Sequence, residues 1–197
     1  MPADLRDLVQ RAQSGDRHAY DELASTQATA RLRRYLTTMT GDEHAAEDLV
    51  QDSLQRGFER LDQLQVPERF SSWLLSIACN ACRSHLRREV QRGYGGGGEG
   101  SGHDPAISQE APAAAQHSAL SSLVRREDAV RLQLAIDRLP ILLREAFVLF
   151  AVEGCPYSEI AVVTACSEGT LQVRVHRAKT LLRQQLGAVF DTWIGTS

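Results

Sequence analysis

The chain has 197 residues, 43% hydrophobic and 24% charged, with a formal net charge of −3, a globular composition large enough for one large or two small domains. No run of about 18 apolar residues occurs, which excludes a membrane-spanning helix. The opening MPADLRDLVQ lacks a cationic stretch followed by an apolar one, so no secretory signal is read and a cytoplasmic protein is expected.

Aromatics make up only 6% of the chain, and Leu, Ala, Arg, Glu and Gln dominate, so an all-α fold is expected. In chain order, helices are predicted near 4–13, 16–38, 42–62 and 67–91. Gly15-Asp16 and Gly41-Asp42 are stop-then-cap signals between them. On the third helix Ala46, Val50, Leu54, Phe58 and Leu61 share an apolar face. Asp48, Gln51, Asp52, Gln55 and Glu59 share the opposite one. That polar face is either plain solvated surface or a docking face for a basic partner. The fourth helix starts after Pro67, carries Phe70, Trp73, Leu74, Ile77 and Ala78, and ends in RSHLRREVQR. Its aromatics are either core or, with Asn80, Arg83, Arg87 and Arg88, a surface for single-stranded nucleic acid. There aromatics hold bases and Arg neutralises phosphate.

Residues 93–118, GYGGGGEGSGHDPAISQEAPAAAQHS, are rich in Gly, Ala, Ser and Pro without periodicity and read as a flexible linker. It divides the chain into domains at 1–92 and 119–197. In the second, helices are predicted near 119–138, 141–153, 156–165 and 168–187. Pro140 sits in a first turn and Gly154 lies just past a helix end.

The most informative stretch is 159–186, a helix-turn-helix pattern. Ile160, Ala161 and Val163 face inward, Ala165-Cys166 forms the turn, and Ser167 sits at an N-cap. Leu171, Val175, Ala178 and Leu182 follow at helical spacing. Gln172, Val173, His176, Arg177, Thr180 and Arg183 project oppositely, and no acidic residue lies between Glu168 and Asp191. A helix with one apolar and one cationic, donor-rich face suits the DNA major groove, although a solvated bundle helix can share the pattern.

Net negative charge argues against a nucleic-acid binder, but its distribution reverses the argument. Residues 1–68 carry net −5, 69–92 net +4, 93–118 net −3, 119–168 net −2 and 169–197 net +3. Positive charge is thus concentrated where the two candidate DNA helices lie. Cys79 and Cys82 form a CxxC inside an apolar helical run and lack the second pair of a zinc ribbon. They are read as buried thiols, with a metal or redox role as the alternative. No cofactor, metal or small-molecule substrate is expected.

Four segments in order resemble the extracytoplasmic-function (ECF) sigma factors of bacterial RNA polymerase. SGDRHAYDEL at 14–23 resembles the family's GD-x-x-AF-x-x-L, and GDEHAAEDLVQDSLQRGF at 41–58 its AEDLVQ segment. WLLSIACNACRSHLRR at 73–88 is similar to WL-x-x-IA-x-N-x-x-x-D-x-LR. Residues 139–178 resemble LP-x-x-x-R-x-x-F-x-L, EG, Y-x-EIA, S-x-GT and R-x-x-RA in succession. Ser84 departs from the usual Asp, Thr164 from a buried Leu and Ala165 from the turn Gly. Gln172 and Val173 depart from Lys or Arg and Ser.

The resemblance implies a two-domain all-α protein, with region 2 and region 4 types joined by the linker. It implies that the factor binds core RNA polymerase and directs promoter-specific initiation, with no catalysis of its own. Asp48, Gln51, Asp52 and Gln55 would dock on the polymerase. Leu64, Arg69, Phe70, Trp73, Asn80, Arg83, Arg87 and Arg88 would open and hold the −10 element. Thr170, Gln172, Val173, Arg174, His176 and Arg177 would read the −35 duplex. An anti-sigma factor is an expected further partner. Two rival readings are a stand-alone helix-turn-helix regulator, which gives the Trp/Asn/Arg helix no role, and an enzyme. Against the enzyme, the adjacent Glu47 and Asp48 point about 100° apart on a helix. The glycine run also lacks the Lys-Ser/Thr and flanking strand of a phosphate loop.

Overall fold

The computed structural model describes residues 5–25, 27–95, 118–187 and 190. The linker expected over 93–118 lies mostly outside them. Among the described residues the regular structure is helical: α1 (Leu5–Gln13), α2 (Arg17–Ala24), α3 (Gln27–Thr40), α4 (Glu43–Glu59) and α5 (Phe70–Gly95) come first. They are followed by α6 (Ser118–Asp137), α7 (Ile141–Phe147), α8 (Tyr157–Thr164) and α9 (Glu168–Leu186). No described helix is long and apolar enough to cross a membrane.

The stop-then-cap signals act as read. Gly15 and Gly41 take positive φ of 97° and 69°, which glycine adopts without a Cβ clash. Asp16 then accepts the Ala19 N–H at 3.2 Å, and Asp42 accepts those of His44 and Ala45 at 2.8 and 3.2 Å.

Two of the expected helices are interrupted. The single helix expected over 16–38 is two, α2 and α3. The break falls where short hydroxyl side chains compete for helix carbonyls: Ser25 Oγ donates to Glu22 at 2.8 Å and the Thr29 hydroxyl to Ala24. The helix expected over 141–153 starts as α7 and finishes as a π-type turn over Val148–Val152. There the Glu153 N–H bonds back to Val148 at 3.0 Å.

The N-terminal unit is built on α3, α4 and α5. Gly57 permits the close approach of α4 to α2 and α5: a Cβ there would lie 2.7 Å from the Tyr20 hydroxyl oxygen and 2.8 Å from Leu74 Cδ1. The Tyr20 hydroxyl is fixed in turn by donating to the Leu54 carbonyl at 2.5 Å. The C-terminal unit closes around Phe147, Leu149, Ile160, Leu171, Val175, Ala178 and Leu182, all buried.

The two units share one continuous apolar core. α5 makes this possible because it is buried on two sides. Leu74, Leu75, Ala78, Cys79, Ala81 and Cys82 are all at or near zero exposure, and α5 packs against α3 and α4 on one flank and α8 on the other. Cys79 and Cys82 fill this seam as small apolar residues, with the Tyr35 hydroxyl beside Cys79. Burial pushes both thiols up, Cys82 to about 12, so neither is a thiolate near neutral pH. No metal-holding cluster of His, Cys, Asp and Glu occurs among the described residues.

The helix-turn-helix turn is strained. Ala165 sits at φ 52°, ψ 44°, the one positive-φ non-glycine residue among those described. An L residue there costs about 1–2 kcal/mol, against about 0.4–1 kcal/mol of extra unfolded-chain entropy that glycine would bring. Ala165→Gly should therefore raise stability by roughly 0.5–1 kcal/mol, read as a higher urea midpoint at unchanged slope. A lower midpoint would show that the turn gains more from the methyl group than it loses in backbone strain.

Candidate nucleic-acid interface

α4 presents its polar face outward because Ala46, Leu49, Val50 and Ser53 turn inward. Asp48, Gln51 and Gln55 are exposed and Asp52 is half-buried. The face is organised by its own pairs: Gln51 donates to Glu47 at 3.0 Å, Gln55 to Glu59 at 3.1 Å, and Arg56 pairs with Asp52 at 2.9 Å. Among the described residues Asp48 is the acid of this face without such a pair, so it presents the least compensated charge.

Between α4 and α5 the chain runs through two 3₁₀ turns, Leu61–Gln63 and Pro67–Arg69. Gln13 of α1 pins this loop by donating to the carbonyls of Leu61 and Leu64 at 2.9 and 3.0 Å. The structure divides the expected −10 residues. Leu64 and Phe70 are 5% and 2% exposed, so their side chains support the loop from beneath, Leu64 also bordering the cavity beside Trp73. Arg69 is exposed and Trp73 half-buried, at the edge of a cavity of about 240 Å³. Its wall includes Gln63, Gln65, Val66 and Ser72, polar or small residues that the sequence reading did not single out. The signal was faint: three loop positions and one first-turn serine, with no periodicity to mark them.

Further along α5, Asn80 is exposed and accepts from Arg83 Nη2 at 2.6 Å. Arg83 is otherwise committed inward. Its Nε lies 3.3 Å from the carboxylate of Glu145, which is 1% exposed, and donates to the Cys79 carbonyl at 3.4 Å. Burial holds the Glu145 carboxyl above its ordinary range, and Arg83 opposes that rise. Arg87 and Arg88 are exposed; Arg88 donates to the Ser84 carbonyl at 3.2 Å.

On α9 the expected division of faces is present. Leu171, Val175, Ala178 and Leu182 are buried, while Thr170, Gln172, Val173, His176 and Arg177 are exposed and Arg174 is half-buried. The Ser167 hydroxyl caps the helix by accepting the Thr170 N–H at 3.3 Å. Val173, half exposed at 51%, puts an apolar patch among the donors. Thr170, Val173, Arg174 and Arg177 also border a cleft of about 590 Å³ whose other walls include Leu142 and, from α5, Arg87. The two cationic segments seen in the sequence thus meet in space. The arrangement can neutralise phosphate and read base edges, and it contains no catalytic constellation among the described residues.

Comparison with known proteins gives one consistent family. Residues 26–92 match sigma-70 region 2 and residues 129–182 match sigma-70, region 4. The chain is 31% identical over 184 residues to the RNA polymerase sigma factor CarQ of Myxococcus xanthus, covering 91% of this chain and 95% of that one. It is 28% identical over 158 residues to the ECF RNA polymerase sigma factor EcfG of Rhodopseudomonas palustris, covering 79% and 78%. Among solved structures it is similar to the sigma factor RpoE of Bartonella quintana, crystallised with the anti-sigma factor NepR. The TM-score is 0.59 at 28% identity, over 81% of this chain and 92% of that one. CnrH, solved with the cytosolic domain of CnrY, shares the fold at TM-score 0.65 and 24% identity, covering 94% and 99%.

Proposed function

Since this chain belongs to the ECF sigma factors, which confer promoter-specific transcription initiation on RNA polymerase, we propose that its two units divide the promoter between them. The 1–92 unit binds core polymerase through α4 and holds the −10 element as a single strand. The 119–197 unit reads the −35 duplex through α9, and 93–118 tethers the two. The polymerase performs the chemistry, and the factor acts wherever that enzyme is.

The observation that carries this reading is the exposed composition of α9. One face is fully buried, and the other offers Gln172, Val173, His176 and Arg177 side by side. Gln pairs bidentately with adenine, Arg with guanine, and Val meets a thymine methyl. Arg87 and Arg88 supply phosphate contacts, which position DNA without specifying sequence. The cavity beside Trp73 is proposed to take an unstacked base, with Arg69 at its rim. An anti-sigma factor is a proposed regulator, on the precedent of the Bartonella quintana pair.

Two variants test the division. Asp48→Lys with Asp52→Lys should lower core-polymerase affinity by more than about tenfold in a pull-down, because like charges across an interface cost several kcal/mol. Normal circular dichroism with unchanged affinity would remove α4 from the docking surface. Arg177→Ala in the reconstituted holoenzyme should flatten the −35 base preference at one or two positions, a loss of roughly 1–3 kcal/mol of discrimination. An unchanged −35 profile, at whatever overall activity, would take Arg177 off the reading face.

A further inference from the structure

We propose that Gln13, the last residue of α1, is a positioning residue for base discrimination in the −10 element, acting through the backbone of the loop that carries Gln63 and Gln65. This role rests on the promoter reading above, in which the cavity beside Trp73 takes an unstacked base. Gln13 lies outside the 26–92 match to sigma-70 region 2.

The stretch from Leu64 to Val66 is a thin wall with open space on both sides. On one side it lines the cavity of about 240 Å³ beside Trp73. On the other it lines a hollow of about 340 Å³, shared with Arg6, Gln10 and Gln13 of α1. Of the three wall residues Leu64 alone is buried, and Val66 is 42% exposed. A wall short of packed neighbours is placed largely by its hydrogen bonds.

Two polar ties hold this loop to α1. Arg6 pairs with Glu68 at 2.6 Å, but the two side chains are 66% and 51% exposed, and such surface pairs contribute little. The second tie is Gln13 Nε2, which donates to the Leu61 carbonyl at 2.9 Å and to the Leu64 carbonyl at 3.0 Å. An amide nitrogen carries two hydrogens, so both bonds form at once and fix the two carbonyls against α1. The Leu61 carbonyl also accepts the Leu64 N–H at 3.1 Å, which closes the 3₁₀ turn. Gln13 therefore clamps the turn beside which Gln63 and Gln65 line the cavity. Side-chain amides discriminate bases by where their donors and acceptors stand, and a shift of about 1 Å takes a contact out of hydrogen-bond range. Gln13 is itself exposed, and the core under the loop is made by Leu61, Leu64 and Phe70. Its loss loosens the loop without unfolding the unit.

Three variants of the full chain test this. Gln13→Leu removes both donors at similar size. Gln13→Glu keeps the shape and offers only acceptors at neutral pH. Gln13→Lys keeps donors within reach. Each is assembled with core polymerase and assayed by transcription on libraries randomised in the −10 or in the −35 element. Amide hydrogen exchange over 61–66 and thermal melting are measured on the free chain. Gln13→Leu and Gln13→Glu should speed exchange over 61–66 and reduce base preference at one −10 position at least about threefold, the size of effect one hydrogen bond carries. Melting temperature and −35 preference should change little, and Gln13→Lys should return the parental −10 profile. Faster exchange with an intact −10 profile would overturn this role, as would unchanged exchange in both donor-free variants. So would a Gln13→Lys profile as flat as that of Gln13→Leu. Equal losses at −10 and −35 with a lowered melting temperature would make Gln13 a purely structural residue and also overturn it. A parental chain that selects nothing within the −10 element would overturn the promoter reading itself.

Discussion

The structure depends on one helix being wanted on two sides. α5 gives one flank to α3 and α4 and the other to α8, so Leu74, Ala78, Cys79, Ala81 and Cys82 lose contact with water together. The seam side carries alanines and cysteines, whose small side chains let helix backbones approach closely. Cysteine suits this place as a compact apolar residue, and burial keeps both thiols protonated. Past the apolar stretch the same helix turns basic. Its packing against both units and its exposed basic stretch therefore lie along a single rod.

That layout explains the electrostatics. An acidic chain carries its positive charge where α5 leaves the core and on the outer face of α9. Glu145 sits beneath the meeting point of these regions; burial raises its pKa, and Arg83, Arg174 and Arg87 oppose that rise. One buried carboxylate thus helps to gather cations that would otherwise repel.

Local order was legible because local chemistry decides it. Asp16, Asp42 and Ser167 cap helices since each offers a side-chain oxygen one turn from an orphan N–H. The α9 stripe followed from spacing alone, and so did the polar face of α4. The break between α2 and α3 was missed because Ser25 and Thr29 are tolerable in helices until tertiary packing favours their carbonyl bonds. Leu64 and Phe70 were placed on the DNA surface by motif position, yet in an aperiodic loop only Gln13's hydrogen bonds and the core beneath decide which side chains face inward. The pairing of Arg31 and Arg34 with Glu159 and Glu153 spans more than 100 residues, so no local pattern announces it.

The chain is proposed to let core polymerase recognise a promoter through two elements held at a fixed separation. The direct measurement is transcription in vitro by core polymerase, with and without the purified chain, on double-stranded templates of randomised upstream sequence. The expected result is a set of transcripts that depend on the chain, whose templates share two short elements. Activity should fall sharply when a few base pairs are inserted between them. Chain-dependent transcripts sharing one element, indifferent to such insertions, would contradict it.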